Sequence, residues 1–166
     1  IVYAGRISEE KGLNELIESF LKVNVNMILK IIGEGPYLKT LRNRYPEKSI
    51  EFLGSIKNEK VHDLIKHSKA VVTATKLYEG QPTLLCEASL HGIPSIFPNT
   101  GGISEFFPKE YDFSFEQFNY KDLENKIQSM SKVESIEKIG SRNESFIKNF
   151  LNKKNLLQKF DYIIDE

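Results

Sequence analysis

"AVVTATKLYEGQPTLLCEASLHGIPSIF", residues 70–97, contains a complete strand-helix-strand unit. "AVVTA" (70–74) is a short apolar run of strand type, and "PSIF" (94–97) is another. Between them "PTLLCEASLHG" (82–92) reads as a helix, opened by a proline suited to a first turn and closed by Gly92. Two strands joined through a helix predict a parallel sheet. The loop "TKLYEGQP" holds Glu79, eight positions before Glu87, with Pro82 between them.

The same alternation continues in both directions. Upstream, "IVYA" (1–4), "MILKII" (27–32) and "IEFLG" (50–54) read as strands, and a weaker strand is expected around residues 112–115. "GLNELIESFLKV" (12–23) puts Leu13, Leu16, Ile17, Phe20 and Leu21 on one helical stripe. Pro36 is expected to open a helix, and "NEKVHDLIKHS" (58–68) another with Asn58 as its cap. From about residue 119 the runs "KDLENKIQSM", "ESIEKIGSRNESFIKNF" and "LNKKNLLQKFDYIID" predict covering helices with solvated lysine- and glutamate-rich faces. The expected fold is α/β, a Rossmann-like parallel sheet of about five or six strands with helices on both faces, formed by residues 1–166 as one domain.

Composition narrows the function classes. Lys+Arg and Asp+Glu each number 23, so zero net charge gives no sign of a nucleic-acid or anionic-membrane partner. The longest apolar runs fall far short of the roughly 20 residues that span a bilayer. A single cysteine, Cys86, allows no internal disulfide and suits a reducing, cytoplasmic compartment. The chain opens at Ile1 directly in a strand-like run, as expected of a piece of a longer protein.

In an open parallel sheet, ligands bind beyond the carboxyl ends of the strands. That rule selects "GRISEEKG", "GEGP", "LGSIKN", "TKLYEGQP" and "NTGGISE". Helix starts at Pro36, Pro82 and near Gly101 would offer free N–H groups and a positive dipole end to phosphate. Arg6 and Lys11 could add charge to the same anion. There is no G-x-G-x-x-G, no P-loop motif and no G-x-S-x-G elbow. His62, His67 and His91 are expected on helix surfaces, and Cys86 inside its helix. The two glutamates remain. With a diphosphate at the helix start, a sugar would lie near Glu79 and a ribose diol near Glu87.

"EGQPTLLCEASLHGIPSI" resembles the E-x7-E signature of the retaining glycosyltransferases of family four, with the GT-B fold. "YAGRISEEKG", "IIGEGPYLKTL", "IEFLG" and "NTGGISE" are similar to that family's other motifs, in the same order, from Ile1 to about Met130. The resemblance implies the carboxy-terminal, nucleotide-sugar-binding domain of a two-domain enzyme. It assigns Glu79, Arg6 and Lys11 to catalysis: Glu79 at the donor sugar, Arg6 and Lys11 on the diphosphate. Donor binding falls to Gly5, Gly33, Glu34, Phe52, Leu53, Gly54, Gly80, Gln81, Pro82, Thr83, Leu84 and Glu87, with Glu87 on the ribose and Phe52 to Ser55 bordering the base. It implies no cofactor and no metal. The acceptor, a glycan or lipid-linked glycan, would be held mainly by the amino-terminal domain, with the full-length enzyme cytoplasmic or at the inner face of the cell membrane. The Lys-, Ile-, Asn- and Phe-rich composition hints at an AT-rich bacterium and so at cell-surface polysaccharide.

Gln81 departs from the pattern, since many relatives carry an apolar residue between the motif's glycine and proline. Two other readings stay open: a nucleotide-sugar epimerase-like lobe, and a non-catalytic nucleotide-sugar-binding module. A response-regulator-like or flavodoxin-like scaffold would need an acidic cluster or flavin loops, and the sequence has neither.

Overall fold

The structure, a computed structural model, describes residues 1–153. Six parallel strands form one sheet: β1 (Val2–Ala4), β2 (Leu29–Ile32), β3 (Ile50–Gly54), β4 (Val71–Val72), β5 (Ser95–Asn99) and β6 (Ser114–Glu116). Their spatial order is β3-β2-β1-β4-β5-β6. The helices are α1 (Leu13–Lys22), α2 (Leu38–Arg44), α3 (Asn58–Lys66), α4 (Thr83–Leu90), α5 (Tyr120–Lys132) and α6 (Glu137–Phe150). The run from residue 154 onward, most of the last predicted helix, lies outside the described residues.

Adjacent strand residues face opposite ways, and the core divides accordingly. Tyr3, Ile31, Val72 and Ile96 join one apolar cluster with the Leu13–Leu16–Ile17–Phe20 stripe of α1 and Leu123, Ile127 and Met130 of α5. Val2, Ile32, Val71 and Phe97 join the other with Ile65 of α3 and Leu85 and Ala88 of α4. The sheet is therefore covered on both faces, which its short, almost wholly apolar strands require. Leu21 of the predicted stripe is only partly buried.

Several expected boundaries shift. Pro36 sits in a turn, and α2 begins at Leu38 after a side chain that makes no capping bond. Lys57, not Asn58, is the N-cap of α3, and the Asn58 amide reaches His62 instead. Pro82 is the N-cap of α4 rather than its first-turn residue. Near Gly101 there is only a four-residue 3-10 turn, Ile103–Phe106, too short to sum peptide dipoles. Of the three predicted anion-binding helix starts, only that of α4 survives in an α-helix of at least eight residues.

The strand order creates the crevice. From β1 the chain moves outward to β2 and β3; from β4 it moves outward to β5 and β6. β1 and β4 are paired at Val2 and Val71, so their following loops diverge at the centre of the sheet, where α/β folds bind ligands. Close backbone contact braces one lip. The Gly33 amide donates to the Gly54 carbonyl at 2.9 Å, and a Cβ on Gly33 would lie 1.9 Å from the Gly5 oxygen. Behind the crevice α6 packs on α4, where a Cβ on Gly140 would lie 1.8 Å from the Gly92 oxygen.

Candidate functional site

Two cavities open at the carboxyl end of the sheet, on either side of the start of α4. One, about 550 Å³, is lined by Lys11, Thr73, Glu79, Gln81 and Pro82 among others. The second, about 390 Å³, is lined by Gly33, Glu34, Ser55, Asn58 and Glu87 among others. Ala4, Gly5, Arg6, Thr83 and Leu84 belong to both walls. Each volume falls in the range of small-molecule sites. The motif glutamates are thus separated, one in each cavity, with the helix start and Arg6 between them.

The α4 N-terminus is open. The amides of Leu85 and Cys86 both donate to the Pro82 carbonyl at 3.0 Å, so those of Thr83 and Leu84 precede the first intrahelical bonds. Arg6 is exposed beside this end, and the buried Tyr3 hydroxyl holds its backbone by donating to the Arg6 carbonyl at 2.8 Å. Burial, followed by the nearby Glu79 and Glu10 charges, pushes the Tyr3 phenol well above its ordinary pKa. Glu10 is held below the usual carboxylate range, chiefly by the Ser8 hydroxyl, which donates to it at 2.6 Å.

Glu79 is tied from three directions. The Lys11 ammonium lies 2.6 Å from its Oε1, and the Thr75 hydroxyl donates to the same oxygen at 3.0 Å. Its backbone carbonyl accepts from the Gly102 amide at 2.9 Å. A Cβ on neighbouring Gly101, where φ is +57°, would lie 2.0 Å from that carbonyl oxygen. "NTGG" therefore braces Glu79 rather than starting an α-helix.

Across the crevice, Glu34 accepts from the Ser55 amide at 3.1 Å. Phe52, Leu53 and Gly54, expected to border a base, do not line the cavity. Phe52 packs against the core and Leu53 is exposed on the edge strand, while Ser55 and Ile56, just past the end of β3, form the wall. The expected surface histidines also need correction, since only His67 is exposed. The rings of His62 and His91 meet at 3.0 Å between Nδ1 and Nε2, joining α3 to α4. Desolvation, then Lys66 and His62, lowers the His91 pKa. Cys86 is buried with its thiol pushed up to about 11, which suits packing and not nucleophilic chemistry.

Sequence reasoning missed Thr75, Asn58 and Val61. Nothing in "VVTATK" distinguishes the Thr75 hydroxyl from that of Thr73, because their difference lies in which way each points at the end of β4. No described helix is long and apolar enough to cross a membrane.

The family described as "Glycosyl transferases group 1" matches residues 1–155. TuaC of Bacillus subtilis (strain 168), named for glycosyl transfer in teichuronic acid biosynthesis, is 32% identical over 108 residues, 65% of this chain and 26% of TuaC. The phosphatidylinositol N-acetylglucosaminyltransferase GPI3 subunit of Saccharomyces cerevisiae is 28% identical over 130 residues, 74% of this chain and 28% of that protein. The matches thus span about a quarter of the length of these curated relatives. Anabaena Alr3699/HepE, solved in complex with UDP and glucose, superposes with a TM-score of 0.84 at 18% identity, over 99% of this chain and 47% of that one. TarM, solved from S. aureus, gives 0.82 at 19% identity, over 99% of this chain and 35% of that one. These two likenesses establish the Rossmann-like fold.

Proposed function

The chain belongs to the group 1 glycosyl transferases, and from that premise we propose that it is the donor-binding domain of a retaining, hexosyltransferase-type enzyme of family four. The observation that carries this is the division of Glu79 and Glu87 between two cavities sharing Arg6 and the open start of α4. A nucleoside diphosphate moiety suits the shared wall: peptide N–H groups and Arg6 meet its charge, with Lys11 beside them. The sugar then occupies the larger cavity beside Glu79 and Gln81, and the nucleoside the smaller one beside Glu87, Glu34 and Ser55. HepE, solved with UDP and glucose on the same fold, supports a nucleotide-sugar donor.

Transfer breaks the bond from the anomeric carbon to the phosphate oxygen, whose electron pair leaves with the diphosphate. The acceptor oxygen forms the new bond on the same face, and its proton passes to the departing phosphate, so the configuration is retained. Arg6 and Lys11 stabilise the charge that grows on the leaving group, and Glu79 the positive charge on the sugar. An acceptor glycan or lipid-linked glycan belongs mainly to an amino-terminal domain, and the similarity to TuaC supports bacterial polysaccharide synthesis.

The test is a thermal-shift and calorimetry screen with UDP, GDP, dTDP, ADP and FMN. A nucleoside diphosphate should bind and FMN should not; no binding by any diphosphate sinks the proposal. Arg6→Ala is expected to weaken the diphosphate by about 1.5–3 kcal/mol, the worth of a charge-assisted hydrogen bond. Unchanged affinity would remove Arg6 from the site. Glu87→Ala should weaken the same ligand by a similar amount, because the ribose hydroxyls lose their acceptor.

A further inference from the structure

The Glu79 carboxylate is held by one oxygen. Lys11 Nζ at 2.6 Å and Thr75 Oγ1 at 3.0 Å both reach Oε1, which leaves Oε2 as the oxygen for a ligand. The two contacts differ in kind. Lys11 is a mobile point charge on a four-carbon arm, and its attraction to a carboxylate has little directional demand. Thr75 is 3% exposed, and its hydroxyl also accepts from the Leu77 amide at 3.2 Å. That second bond orients the single hydroxyl hydrogen toward Glu79.

A bound diphosphate would compete with Glu79 for the Lys11 ammonium, because both are anions and both lie within reach. The Thr75 bond faces no such competitor. Among the two contacts it is the one that persists when the donor is in place.

We infer that Thr75 is the positioning residue for Glu79, fixing the carboxylate through Oε1 so that Oε2 meets the donor sugar. The inference rests on the proposed donor-binding reading of the site. Thr75 touches no substrate and acts only through Glu79. Its loss should therefore affect the chemical step and spare nucleotide binding.

The full-length enzyme, its Thr75→Val, Thr75→Ala and Thr75→Ser variants, and the same panel of nucleotide sugars test this. Valine keeps the shape and removes the hydroxyl; serine restores the hydroxyl on a smaller side chain. Val and Ala are expected to lower kcat by about 10- to 100-fold, the scale of a small misplacement of a catalytic group. Donor KM and nucleoside diphosphate affinity should stay within about 3-fold, and Ser should return kcat to within about 3-fold of wild type. Wild-type kcat in the Val and Ala variants overturns the inference. So does an equal loss in Ser, or a parallel loss of nucleotide binding in Val and Ala, because each points to a merely structural threonine. A wild-type enzyme that consumes none of the nucleotide sugars strikes the proposed function itself, and it does so before any variant is read.

Discussion

A Glu79→Gln enzyme, in its full-length form, is expected to lose about 100- to 1000-fold in kcat, or some 2.7–4 kcal/mol of transition-state stabilisation. Glutamine keeps the size of the side chain and one oxygen able to accept from Thr75. It removes the negative charge, the property that opposes positive charge developing on the sugar. Donor KM should change little, since the interaction strengthens only as the glycosidic bond breaks. Free nucleoside diphosphate should bind nearly as before, because it brings no sugar to the larger cavity. Glu87→Ala should show the opposite pattern, a loss visible with the free diphosphate. Calorimetry of the two variants separates them. Equal losses in diphosphate affinity would mean that the glutamates support the loop and helix instead of reading two parts of one ligand.

Gly33→Ala is expected to cost about 2–6 kcal/mol of folding stability. Roughly 1–3 kcal/mol comes from placing a side chain at a backbone angle that L-residues rarely adopt. A further 1–3 kcal/mol or so comes from overlap. Gly33 has φ of +133°, and its added Cβ would lie 1.9 Å from the Gly5 oxygen. The obstruction is backbone, so no rotamer change relieves it. The loops after β1 and β2 must separate, and Gly5 and Gly33 both line the smaller cavity. Urea unfolding measures the first effect and nucleotide titration the second. A stability loss below about 1 kcal/mol would show that the lip yields freely.

What the sequence revealed follows the range of the interactions involved. The β-α-β unit at residues 70–97 was legible because strand, helix start and closing Gly92 are all local signals. The weak strand expected at 112–115 exists two residues later, as Ser114–Glu116, between the buried Phe113 and core neighbours of α5. Helix starts were less legible: Pro36 and Gly101 carry the right local chemistry, but tertiary packing begins α2 later and leaves only a 3-10 turn after Gly102. Phe52 to Gly54 marked the correct strand end, yet the side of that strand end that faces the crevice depends on the sheet's shape. Ser55 and Ile56 face it instead. The His62–His91 contact joins residues 29 apart through the packing of α3 on α4, which no spacing rule anticipates. Likewise the lysine-rich run after residue 133 looked like mere cover, but Gly140 lets α6 press against the end of α4.

The strand order also governs how a nascent chain can be completed. The first 54 residues supply β1, β2 and β3 with α1 and α2, so one half of the sheet can close while the rest is still emerging from the ribosome. Until β4 arrives, the far edge of β1 is an unpaired template open to wrong partners. The Val2–Val71 pairing is the seam that closes it. Arg6 and Lys11 lie on the early half, while Glu79, Thr83 and Glu87 arrive with the late one. A ligand gripping both sides binds only the joined molecule and draws the population toward it by mass action.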